Sequence, residues 1–119
     1  MTRKKLAANK RGLWAEHFAA LFFRLKGYRL VARNYKVRTG EIDIIALKGN
    51  VIIFIEVKFR SESLSANYAI GRKQWKRIEA ASLCFVADHP AYHAHVWRFD
   101  SILFSPYPRH QKDAYRRFD

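Results

Sequence analysis

A mixed α/β fold is expected for this chain, with helices packed on a central sheet and elements in the order α-β-β-β-α-β. Three observations predict it. Two stretches carry apolar residues at helical spacing, one near the start and one past the middle. Between them lie three β-branched, aromatic-rich runs broken by short turns. A fourth such run follows the second helix, and that spacing gives a mixed sheet with helices on it.

The first helix is predicted from about Gly12 to Lys26. Trp14, Phe18, Leu21, Phe22 and Leu25 fall at helical spacing, and Gly27 terminates it. Tyr28 to Val37 reads as a strand interrupted around Arg33-Asn34, and Arg38-Thr39-Gly40 as a turn. Strands follow at Glu41 to Leu47 and Val51 to Phe59, joined by the hairpin-like turn Lys48-Gly49-Asn50. Arg60 to Asn67 is polar and serine-rich, hence a loop. The second helix runs from Tyr68 or Ala69 to Val86 or Ala87, stopped by Asp88-His89-Pro90. His95 to Phe104 is the last strand. Residues 1–11 are basic and expected to be flexible, the folded domain spans 12–104, and 105–119 is read as an irregular tail.

The chain has 119 residues, enough for one domain, and half are hydrophobic, enough for a real core. Lysine and arginine number 23 against 10 acidic residues, a formal charge of +13. Such an excess opposes compaction and calls for an anionic partner, with nucleic acid the leading candidate. An anionic membrane surface and general RNA binding are the rival readings. No apolar run, Val51 to Ile55 included, is long enough to span a bilayer, and no membrane partner is expected. The single cysteine, Cys84, lies in an apolar stretch and reads as a small core residue. It excludes an internal disulfide and a cysteine-based zinc site. No signal-peptide apolar segment follows the basic N-terminus, and a cytoplasmic location is expected.

Chemistry concentrates in Gly40-Glu41-Ile42-Asp43-Ile44-Ile45-Ala46 and Ile53-Phe54-Ile55-Glu56-Val57-Lys58. Side chains alternate along a strand, so Glu41, Asp43, Ile45 and Leu47 should share one face, and Ile52, Phe54, Glu56 and Lys58 another. The hairpin then converges Asp43, Glu56 and Lys58. Buried charges are costly unless paired, hydrogen-bonded or metal-bound. Two carboxylates offer hard oxygen ligands that suit Mg²⁺ or Mn²⁺, with the Val57 carbonyl as a third donor. Lys58 points with Glu56 and is suited to orienting a water or countering phosphate charge. The plainer alternative is an ion pair across a strand end. Glu16, with Ala19, Ala20 and Phe23 as its helical neighbours, either completes the acidic cluster or is a first-turn glutamate favoured by the helix dipole. Glu41 is read as supporting, against a solvated charge or a turn partner of Arg38. Arg72, Lys73, Lys76 and Arg77 form a basic stripe on the second helix, for phosphates or simply for solvent. Arg33, Lys36, Arg38 and Arg60 extend this basic surface. The five histidines show no ligand spacing, and Asp100 reads as structural, either pairing with Arg98 or capping the turn after it.

The ordered motifs are Gly12-x-x-x-Glu16-x-x-Ala19, Gly27-Tyr28-x-Leu30-x-Ala32-Arg33-Asn34, Arg38-Thr39-Gly40-Glu41-Ile42-Asp43-Ile44-Ile45-Ala46 and Phe54-Ile55-Glu56-Val57-Lys58-x-Arg60. Lys73, Lys76-Arg77-Ile78, Ala80-Ala81 and Arg98-Phe99-Asp100 continue the set. Together they resemble the YraN family of uncharacterised bacterial proteins across roughly residues 12–104. That family in turn resembles the PD-(D/E)XK nucleases and archaeal Holliday-junction resolvases. The resemblance implies a restriction endonuclease-like fold and Mg²⁺-dependent hydrolysis of DNA phosphodiesters, with branched or damaged DNA as candidate substrates. By position it matches Asp43 to the motif aspartate, Glu56 and Lys58 to the (D/E)-x-K pair, and Glu16 to the resolvase helix glutamate. Ile42 stands where the literal motif has proline, and Phe59 where the family has a small or hydroxyl residue. Resolvase-like action on two strands would suit a symmetric homodimer. The alternatives are a non-catalytic nucleic-acid-binding module and a basic interaction protein.

Overall fold

The computed structural model describes residues 3–59, 70–105 and 107–117, with side chains from residue 14 onward. Helix α1 spans Arg3–Leu25, strands β1, β2 and β3 span Arg29–Val37, Gly40–Lys48 and Val51–Phe59, and helix α2 spans Arg72–Asp88. A short 3-10 turn at Pro90–Tyr92 leads to β4 (Val96–Phe104) and β5 (Pro108–Tyr115). The five strands lie in sequence order, antiparallel except for the parallel β3–β4 pair. A parallel pair needs a crossover, and α2 lies within it. This mixed architecture, α-β-β-β-α-β with one added strand, is consistent with a restriction endonuclease-like fold.

The sheet separates two cores. On one side Ala19, Ala20 and Phe23 of α1 meet Ile44, Ala46, Ile53, Ile55 and Ile102. On the other, Trp75, Ile78, Ala81 and Phe85 of α2 meet Ile42, Ile45, Ile52, Phe54 and Phe99. Residues on successive positions of β3 go to opposite cores, so the continuous apolar run of β3 is a strand covered on both faces.

Four expectations change. The apolar stripe on α1 does not face the core: Trp14, Phe18, Leu21 and Leu25 are 51–78% exposed. The buried face instead carries Ala15, Glu16, Ala19, Ala20 and Phe23, because small residues let the helix backbone approach the sheet. Second, α1 begins at Arg3, so residues 3–11 join the helix instead of preceding it as a flexible segment. Their Lys, Arg, Leu and Ala content favours helix, and the charge that suggested a mobile arm is compatible with one. Third, the expected irregular tail contains β5, which pairs with β4 from Phe99↔Tyr115 to Phe104↔Pro108. Its exposed, polar edge face hid it from an apolar-pattern search. Fourth, α2 starts at Arg72, after Gly71 in extended conformation. Tyr68 and Ala69, the expected start, lie outside the described residues, as does the expected loop Arg60 to Asn67.

Gly40 is part of the packing, not only of a turn. A Cβ there would overlap the Arg77 backbone carbonyl, so glycine lets the first turns of α2 sit directly against the start of β2. With α2 docked there, Gln74 near its head reaches Glu56.

Candidate functional site

The hairpin β2–β3 positions the site. Its ladder runs from Lys48↔Val51, across the two-residue turn Gly49-Asn50, to Ile44↔Ile55. Gly49 has φ +59, as such a turn requires. One step further the strands would pair Asp43 with Glu56, and there the backbone ladder gives way to a side chain. The Val57 amide donates to Asp43 Oδ2 at 2.8 Å.

Asp43 also marks a slip in the alternation of β2. Ile44 and Ala46 belong to the α1-side core, yet Ile42 packs with Ile45 on the α2 side. The phase therefore shifts between Ile42 and Ile44. The residue opposite Asp43 on β1, between the pairs Arg33↔Ile44 and Tyr35↔Ile42, is Asn34, which has φ +52. The expected shared face of Glu41, Asp43, Ile45 and Leu47 breaks at this point. The slip leaves Asp43 in the seam between β2 and β3, within electrostatic reach of Glu56 on one side and Glu16 on the other.

Glu56, by contrast, follows strict alternation with Ile52 and Phe54 toward α2. It is 4% exposed. Lys58 Nζ lies 3.2 Å from its Oε1. Gln74 Nε2 donates to its Oε2 at 3.4 Å. Trp75 and Ile78, the i+1 and i+4 neighbours of Gln74, are both core residues, and that spacing is the signal that places Gln74 at the helix's inner edge.

Electrostatics sets these groups apart. Burial, then the adjacent Glu56, push the Asp43 carboxyl up to about 7, against the Val57 amide and Lys58, which favour the anion. Burial also raises Glu56, while Lys58 and Gln74 pull it back, and Glu41 is the weakest of the named influences on it. Two carboxylates held this close disfavour a second negative charge, the condition a bound cation relieves.

On the α1 side, Glu16 is buried, and its Oε1 accepts no hydrogen bond. Arg33 Nη2 lies 3.9 Å from that oxygen and 3.3 Å from His17 Nδ1. Arg33 is thus the cation facing Glu16, a role its position in the Arg33-Asn34 motif did not reveal. Among the described residues, no three His, Cys, Asp or Glu side chains stand close enough to enclose a metal ion. Asp43 and Glu56 are hard oxygen donors of the kind that suit a divalent cation which keeps several of its waters.

The other expected residues divide. Arg72, Lys73, Lys76 and Arg77 all lie exposed on α2, with Lys76 Nζ 3.5 Å from Glu79. Arg38 is exposed at the β1–β2 turn, beside the strand start that holds Asp43. Arg60 lies outside the described residues. No helix among them is long and apolar enough to cross a membrane.

The motifs that build this seam are those of a known family. A model of the uncharacterised protein family UPF0102 matches residues 15–104, a span that includes Glu16, Asp43, Glu56, Lys58 and Gln74. The chain belongs to the UPF0102 family. It is 43% identical over 102 residues to a UPF0102 protein of Bartonella bacilliformis, covering 84% of each chain. It is 43% identical over 113 residues to one from Sinorhizobium medicae, covering 93% of each. A relative from Rhodopseudomonas palustris is 40% identical over 113 residues, or 93% of this chain and 87% of its own. UPF0102 is the YraN-like family that the sequence motifs indicate.

Proposed function

We propose that this UPF0102 protein is a metal-dependent endonuclease that hydrolyses DNA phosphodiester bonds, with branched or damaged duplexes as its preferred substrates. One observation carries the reading: Asp43 and Glu56 stand one register step beyond Ile44↔Ile55 in the hairpin, within electrostatic reach of each other, with the Lys58 amine 3.2 Å from Glu56. A structural ion pair needs one carboxylate and one amine. A second carboxylate, raised by the first, is the added element that a phosphodiesterase uses.

Asp43 and Glu56 would hold Mg²⁺ or Mn²⁺, with the Val57 carbonyl alongside; the ion supplies a polarised phosphoryl oxygen and a more acidic water. Asp43 is kept in place by the Val57 amide and Glu56 by Gln74. Lys58 donates to the attacking water or to the phosphoryl oxygen on which charge develops. Glu16, with a free acceptor oxygen, orients water from the α1 side. The exposed cations of α2 bind phosphates along the duplex and fix its register.

The test is cleavage of linear, flapped and four-way-junction DNA with Mg²⁺ or Mn²⁺, beside Glu56→Ala. Cleavage by the native protein that disappears in the variant supports the reading; equal cleavage by both removes the site assignment. The net charge of +13 also supports a second reading, a non-catalytic nucleic-acid-binding module. Under that reading binding persists in Glu56→Ala, no substrate is cut, and affinity falls with salt by about 0.9 log units per phosphate contact per log unit of salt. Binding indifferent to salt would leave the third reading, a basic interaction protein.

A further inference from the structure

The sheet carries the row of the site sideways, away from the seam. In the parallel β3–β4 ladder Glu56 stands beside Ser101, and in the β4–β5 ladder Ser101 stands beside Gln111. Paired residues in neighbouring strands share a face. Glu56, Ser101 and Gln111 therefore form one row on the α2 side of the sheet. One row further, Lys58 stands beside Leu103.

A cleft opens over these rows, about 90 Å³ in volume, with Lys58, Ile70, Trp75, Ser101, Leu103 and Gln111 on its walls. It holds several waters' worth of space, the scale of one heterocyclic ring. Its chemistry differs from the rest of the surface. Among the described residues that line it, Lys58 is the one charged group, and Lys58 belongs to the hydrolytic site. The remaining polar groups are a hydroxyl and a carboxamide, both neutral, and the walls are apolar. Trp75 is fixed there, stacked on Tyr115 with centroids 5.3 Å apart and planes 4° from parallel. A phosphate would find little here. A flat, neutral, hydrogen-bonding ring finds apolar walls and a paired donor and acceptor, the combination by which a carboxamide reads a base edge.

We propose that this cleft is a nucleobase subsite, which takes the base next to the scissile phosphate, with Gln111 as its specificity-determining residue and Ser101 as a second polar contact. The proposal rests on the nuclease reading for what lies at Lys58, since a base in the cleft is adjacent to that amine. Gln111 is exposed on an outer strand and leaves the core untouched when substituted.

The experiment uses DNA duplexes and junctions that vary each base, and substitute an abasic site, on either side of the cleavage position. Cleavage by native protein and by Gln111→Ala is compared, and the binding of the same DNAs is measured with Glu56→Gln and with Glu56→Gln/Gln111→Ala. The native protein should prefer one base at one flanking position by about 10-fold. In Gln111→Ala that preference should flatten, while the abasic substrate is cut equally by both proteins. The binding series should show the same loss. If no DNA is cut, the nuclease reading fails, and the binding series alone decides the subsite. A base preference unchanged by Gln111→Ala, or equal affinity for abasic and intact DNA in the Glu56→Gln background, overturns it.

Discussion

Asp43 and Asp100 both lie on strands of one sheet, yet the protein treats their charges in opposite ways. Asp100 is 0% exposed and surrounded by donors. Arg98 donates to both its oxygens at 2.9 and 2.8 Å, the Asp113 amide donates to Oδ1 at 3.0 Å, and His110 Nε2 lies 2.8 Å from Oδ2. Burial alone would raise its pKa, but His110, Arg98 and the Asp113 amide outweigh it and hold the carboxyl below its usual range. Arg98 in turn is held protonated by Asp100 and reaches the Tyr28 hydroxyl at 2.9 Å. Asp43 accepts a hydrogen bond from the Val57 amide and faces carboxylates on both sides. Burial of charge is therefore not itself a sign of chemistry. What marks Asp43 is burial without enough donors, beside groups of its own sign. Asp100 ties β5 to β4; Asp43 keeps a carboxyl raised by burial and by Glu56.

The largest effect should come from breaking the satisfied site. Asp100→Ala leaves the partly buried Arg98 without its counter-charge and should cost about 3 kcal/mol in urea unfolding. Asp43→Asn should leave stability unchanged or higher, because it removes a repelling charge; a loss as large as that of Asp100→Ala would erase the contrast.

Function should invert that order. Lys58→Ala should lower cleavage by about 10²–10³-fold with the fold intact, as for loss of one group that steadies developing charge. Asp100 variants that fold should retain turnover. Circular dichroism beside single-turnover cleavage separates the two.

Acid–base behaviour sharpens the comparison further. Asp43 has a folded pKa of about 7, above its value of 3.8 when unperturbed. The folded state then holds the extra proton, so metal-free stability should be full below about pH 4 and fall as pH rises through 7, by roughly 2 kcal/mol for this partly exposed group. The lowered pKa of Asp100 works the other way: its contribution is present above its unfolded pKa and lost as pH falls through the folded one. Unfolding of Asp43→Asn across pH 4–8 should lack the decline, and Mn²⁺ should abolish it in the native protein.

Smaller again is the effect of Gln74→Ala, which loosens Glu56 without removing it. It should weaken Mn²⁺ binding by about 10-fold in titration calorimetry. The smallest effect belongs to the exposed face of α2: Lys73→Ala should shift the salt dependence of DNA affinity by about 0.9, one phosphate contact, with no change in base preference.

Much of this was legible in the residues. The strands β2 and β3 announce themselves by β-branched runs around a Gly-Asn turn, and acidic residues inside such runs stand out because burial is costly. The pairing of Asp100 with Arg98 was legible for the same reason, since i and i+2 share a strand face. The α1 stripe misled, because spacing identifies an apolar face but not which face the sheet accepts. There, close approach of backbones favoured Ala15, Ala19 and Ala20, and so carried Glu16 inward. The strand β5 was hidden because an outer strand needs few apolar residues.

Local periodicity and composition were enough for two helices, the first four strands, the acidic hairpin and the basic charge. The assembled sheet places Asp43 in a slipped seam instead of on a regular face. Tertiary structure alone brought Gln74 to Glu56, Arg33 to Glu16, and Ser101 and Gln111 into line with Glu56. Those relations join residues far apart in the chain, and they depend on register and helix docking, which no single stretch of sequence encodes.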